Sequence, residues 1–141
     1  MIWTGNRRTV STPNEVEAAL DEILAQAAVS VLPLAVTVIP PSGSDHSPFD
    51  EDFPDCLEVG LGHPDRAFVR WIGAGGGYGY EPALTAGPAD VRFDYGGQPI
   101  HPDPHELRVS PSVARRAVHE FAATGKRPNL LQWLREGDDN R

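Results

Sequence analysis

The chain has 141 residues, enough for one domain that buries roughly two thirds of the surface its unfolded chain would expose. Twenty acidic residues against twelve basic ones give a net charge of -8, which argues against a nucleic-acid or anionic-membrane surface and for solubility or a basic partner, so that a charged partner should be cationic. The single cysteine, Cys56, allows no intrachain disulfide, and the longest apolar stretch, about 29 to 41, is interrupted by Ser30, Pro33 and Thr37, so neither secretion nor membrane insertion is expected and a reducing cytoplasm fits.

A short strand at Ile2 to Thr4 is one candidate start for the sheet. Thr12 and Glu15 have capping-box spacing, Pro13 suits the first helical position, and Val16, Ala19, Leu20, Ile23, Leu24 and Ala27 form one apolar stripe, which together predict a helix over about 13 to 28. Leu34, Val36 and Val38 lie in a β-branched run that reads as a buried strand stopped by Pro40 and Pro41. Residues 41 to 55 read as a polar loop, after which Leu57, Val59 and Leu61 alternate in a second strand. The turn His63-Pro64-Asp65 leads to a third strand over Ala67 to Ile72, and the short connection predicts an antiparallel hairpin with Arg70 between Val69 and Trp71.

A glycine-rich segment, Gly73 to Tyr80, reads as a flexible turn before a weaker strand near Tyr80 to Leu84. Val91, Phe93 and Tyr95 alternate in a clearer strand that Gly96-Gly97 ends in a tight hairpin turn. The stretch His101-Pro102-Asp103-Pro104-His105 reads as an extended, solvated linker. Ser110 then caps and Pro111 opens a second helix with Val113, Ala117, Val118 and Phe121 on one face, closed by Gly125 and Pro128. Leu130 to Leu134 is read as a final strand or extended segment. The expectation is a single α+β domain over 1–141, a mainly antiparallel sheet with two principal helices packed on one face and flexible ends about 1–10 and 136–141.

Chemistry-bearing patterns are sparse. A dinucleotide fingerprint beginning at Gly73 or Gly75 would need its third glycine where Tyr78 or Tyr80 stands, and no Gly-Lys-Ser or Gly-Lys-Thr follows. His101 and His105 are four apart, but Pro102 and Pro104 bar the helix that would align them, and His46, His63 and His119 complete no specific metal pattern. One cysteine cannot supply a deaminase zinc site, and Cys56, beside Asp55, reads as an inert core or edge thiol. No catalytic residue, cofactor or metal is therefore expected. Trp71, Trp133, Phe93 and Phe121 read as core.

The segment 45–55 stands apart, with Asp45, Asp50, Glu51, Asp52 and Asp55 interleaved by Phe49 and Phe53. It is either a plainly solvated loop or a surface that steers the chain onto a basic partner, with the two phenylalanines as anchors. Tyr78, Tyr80 and Glu81 are the second candidate contact surface. An alternative from another class is a small enzyme or small-molecule-binding domain using the glycine-rich loop and nearby histidines, and a third is a regulatory subunit binding some other protein.

The run Val91-Arg92-Phe93-Asp94-Tyr95-Gly96-Gly97, then Ser110-Pro111, Ala117-Val118-His119-Glu120-Phe121, Thr124-Gly125-Lys126-Arg127-Pro128 and Trp133, resembles an immunity-protein family of bacterial polymorphic toxin systems, the family commonly paired with deaminase toxins. Leu57 to Gly62, Val69 to Trp71 and the glycine-tyrosine segment share the likeness, which covers about 10–135. The resemblance implies a cytoplasmic protein without catalytic residues that binds a cognate toxin, such as a nucleobase or nucleic-acid deaminase, and blocks substrate access, with no direct nucleic-acid or membrane contact.

Overall fold

The computed structural model describes residues 1–40 and 55–135. Strands β1 (Ile2–Trp3) and β2 (Asn6–Arg7) precede helix α1 (Pro13–Val29) and strand β3 (Leu34–Val38). Strands β4 (Cys56–Leu61), β5 (Phe68–Ile72) and β6 (Gly77–Tyr80) follow, then the hairpin β7 (Phe93–Tyr95) and β8 (Gln98–Ile100), helix α2 (Pro111–Thr124) and strand β9 (Gln132–Arg135). Among the described residues these form one sheet in the order β2-β1-β3-β4-β5-β6-β9, all antiparallel along that path. β7 departs from it, pairing in parallel with β3 at Leu34 and Asp94.

Local chemistry sets the helix ends. The Thr12 hydroxyl accepts from Glu15 N at 3.2 Å while the Glu15 carboxylate accepts from Thr12 N at 3.1 Å, a complete capping box. Ser110 caps α2, and Gly125, at φ 68°, ends it in the left-handed region. Of the stripe expected on α1, five residues are buried, whereas Leu24 is 37 % exposed at the stripe's edge. Both helices cover one face of the sheet, over Val36, Val38, Leu57, Val59 and Val69, with Trp71 and Phe121 meeting edge-on at 5.7 Å. Trp133 is half-buried against this core, its indole N–H donating to Pro128 O.

The structure revises the sequence expectation in four places. The first ten residues, expected as a flexible end or as a sheet start at Ile2 to Thr4, contain β1 and β2 and bury Met1 and Trp3. The glycine-rich segment is a turn only over Gly73–Gly76, closed by Gly76 N donating to Gly73 O. From Gly77 it is strand, and Glu81–Leu84, expected as strand, is a turn. The reason is steric: a Cβ at Gly79 would lie 2.7 Å from Leu131 Cδ1, so the alternating glycines let Leu131 and Trp133 close over β6. Val91 is buried but outside β7. The proline-rich linker is no solvated strap, because Pro102 is buried and Asp103 caps a 3-10 turn at Pro104–Glu106.

That turn and the β7–β8 hairpin cover part of the other sheet face. Phe68 and Phe93 stack edge-on at 5.0 Å with Ala35, Val91 and Leu107 in a second, smaller core. Gly60 makes room for it, since a Cβ there would run into both phenyl rings. Gly96 and Gly97, both at positive φ, make the hairpin turn, and Asp94 accepts from Gly97 N at 2.8 Å. Among the described residues nothing covers the remainder of this face.

Candidate functional site on the open sheet face

Strand alternation places Thr37, Glu58, Arg70, Tyr78 and Leu134 in one transverse row, each the cross-strand partner of the next. The neighbouring row, Val36, Val59 and Val69, faces the helices and is fully buried. Glu58, Arg70 and Tyr78 therefore emerge on the side the helices leave uncovered. There they line a cavity of about 360 Å³ together with Phe68, Tyr95, Ile100, His101, Pro102 and Glu106.

Glu58 is 7 % exposed, the one buried charged residue among those described. Burial pushes its carboxyl above the usual range, opposed by the Arg70 charge and a hydrogen bond from Tyr95. The Arg70 guanidinium stands 3.9 Å from the Glu58 carboxylate, too far for a hydrogen bond, and its centre lies 5.6 Å from the Tyr78 ring. Glu106 is also raised by burial, against hydrogen bonds from Tyr78 and from the Asp103 backbone. Two carboxyl groups held above their ordinary range therefore share a cavity with one guanidinium and two phenols.

Beside the cavity, Tyr80 lies under Arg108 at 4.6 Å, and Arg108 Nε donates to Leu84 O at 2.8 Å. Glu81 is engaged structurally, its carboxylate accepting from Ser110 N at 2.6 Å where α2 begins. Tyr78 and Tyr80 thus share the open face on β6, rather than the loop expected for them, while Glu81 ties that strand to α2. Of the acidic segment, Asp45, Phe49, Asp50, Glu51, Asp52 and Phe53 lie outside the described residues. Asp55 is exposed just before β4, near Trp71, Gly75 and Trp133 and away from the cavity.

Of the other sequence candidates, His46 lies outside the described residues, His101 lines the cavity, and His63 and His119 have structural roles. His63 Nδ1 accepts from Asp65 N and Arg66 N and so caps its own turn. His119 and Arg115 on α2 meet Glu17 on α1, with Arg115 also 2.6 Å from Asp21. Hydrogen bonds from Arg115 and then His119 pull the Glu17 carboxyl down to about 2. Burial raises the Cys56 thiol to about 11, an unreactive state at neutral pH. Among the described residues no group of three or more His, Cys, Asp or Glu side chains is disposed to hold a metal, and no helix is long and apolar enough to cross a membrane.

The sequence expectation did not single out Glu58, Tyr95 or Glu106. One available signal was alternation: Glu58 and Arg70 occupy the polar phase of two strands joined by a short connection, which makes them opposed charges on a shared face. Glu106 and Tyr95 reach the cavity through the 3-10 turn and the β7–β8 hairpin, which periodicity does not place.

Fold and site define an α+β domain whose described residues leave one sheet face covered by helices and the other bearing charged and aromatic groups around a cavity. The chain belongs to the Imm1 immunity protein family, whose sequence profile, described as Immunity protein Imm1, matches residues 4–135, nearly the whole chain. It is accordingly an immunity protein for a toxin. No curated protein matches its sequence.

Proposed function

We propose that this immunity protein neutralises a deaminase-type toxin of a bacterial polymorphic toxin system, as a non-enzymatic, stoichiometric inhibitor that blocks substrate access in the cytoplasm of the producing cell. The observation that carries this reading is the net charge of -8 together with carboxylates gathered on an open sheet face. A toxin that acts on nucleic acid needs a basic surface to hold phosphates, and an acidic inhibitor is complementary to that surface. Asp45, Asp50, Glu51, Asp52 and Asp55 steer the approach, with Phe49 and Phe53 as anchors, while Tyr78 and Tyr80 contribute from β6 and Glu81 borders them.

The test is titration of the purified chain into the toxin domain encoded beside its gene, with deamination of single- and double-stranded DNA, RNA and free nucleosides as readout. Inhibition complete near one equivalent is the expected result and names the substrate class. Full activity at large excess would reject it and favour a small-ligand function. The cavity volume supports that second reading, since about 360 Å³ lies within the roughly 300 to 1,000 Å³ of small-molecule sites.

A further inference from the structure

Building on the immunity reading, we propose that the open-face cavity is the seat of a cationic side chain of the toxin, an arginine or lysine inserted between Glu58 and Glu106 and against the rings of Tyr78 and Tyr95. Charge is the first reason. Two carboxyl groups and one guanidinium, that of Arg70, line the cavity, so an incoming cation would favour the ionised form of both acids. Hydrogen-bonding capacity is the second. An ionised carboxylate offers about four acceptor positions, and at Glu58, among the described residues, Tyr95 takes one while Arg70 stays at 3.9 Å.

The walls narrow the class of occupant. Half-buried Ile100, over the buried Phe68 and Pro102, adds apolar surface that suits the methylene stem of a long basic side chain. Tyr95, 41 % exposed at the rim, offers a ring face to the cationic head, as Tyr78 does to Arg70. A bare metal ion would leave the apolar wall unused, and an anion would be repelled by both carboxylates. The long-range field agrees, because a chain of net charge -8 draws cationic surfaces toward it.

The experiment is calorimetric titration of the neighbouring toxin domain with the full chain and with Glu58→Gln, Glu106→Gln and the double variant, using Glu22→Gln on α1 as control. Each cavity variant is expected to raise Kd by about 30-fold or more, the loss typical when one partner of a desolvated charge pair is removed, with the control unchanged. Undiminished affinity of a folded double variant overturns the cavity proposal and leaves the immunity reading standing. Failure of the unmodified chain to bind that toxin overturns the reading and the proposal with it. Should a variant unfold, titration of the isotope-labelled unmodified chain with N-acetyl-arginine amide decides: saturating shifts at the Glu58 and Glu106 carboxyl carbons support the proposal, and their absence overturns it.

Discussion

Two adjacent rows of the same strands have opposite characters: Val36, Val59 and Val69 are sealed under the helices, whereas Thr37, Glu58, Arg70 and Tyr78 emerge on the far side. The first row removes apolar surface from water, the main favourable contribution to folding. The second holds a carboxylate nine-tenths buried, which opposes folding unless it is fully paired. The difference teaches that the period-two alternation of the strands puts apolar packing on one face and charged and aromatic groups on the other, one residue facing each side in turn.

Truncation on the sealed face sharpens that contrast most strongly. Phe121→Ala removes a fully buried ring that meets Trp71 edge-on and is expected to cost about 3 to 5 kcal/mol, measured by urea unfolding. A loss below about 1 kcal/mol would mean that the helix layer is not what holds the sheet.

The smaller core under the β7–β8 hairpin should respond next. In Gly60→Ala the new methyl group meets Phe68 and Phe93, an overpacking expected to cost about 1 to 3 kcal/mol. If unfolding is unchanged while toxin affinity falls, the hairpin is a mobile element of the recognition face and not part of the stabilising core.

A third prediction extends the comparison to the acidic segment. Replacing Asp50, Glu51 and Asp52 together by lysine is expected to slow toxin association by about tenfold or more at low salt and flatten its salt dependence, with the thermal midpoint nearly unchanged. Stopped-flow rates that match the unmodified chain would assign recognition to the open sheet face alone.

The smallest effect runs in the opposite direction to the others. Because the Glu58 carboxyl is raised in the folded state, its contribution to stability is present below its ordinary value of 4.5 and is lost as pH rises through the folded value. Glu58→Gln does not titrate, so its thermal midpoint should exceed that of the unmodified chain at pH 7, with the difference vanishing at acidic pH. A lower midpoint at pH 7 would make Glu58 and Arg70 a stabilising pair and break the division of labour between the two faces.

Much of the architecture was written locally. Thr12 with Glu15, Ser110 with Pro111, and Gly125 with Pro128 mark helix ends through hydrogen bonds and backbone angles that involve only near neighbours in sequence. The hairpin between β4 and β5 was legible for the same reason, since a short connection and alternating Val59, Leu61 and Val69 fix its register. The glycine-rich segment misled because glycine marks both turns and crowded strands, and only Leu131, arriving from far along the chain, distinguishes the two at Gly79.

Sequence by itself determined the helix caps, the apolar phase of the central strands, the acid excess and, through its combined motifs, the immunity family. Only the tertiary structure decided that Glu58, Arg70, Tyr78, Tyr95 and Glu106 share one cavity. The physical reason is that this cavity joins three strands, a hairpin and a 3-10 turn that meet only when the sheet is assembled, with Gly60 admitting the phenyl rings that seat the hairpin beside it.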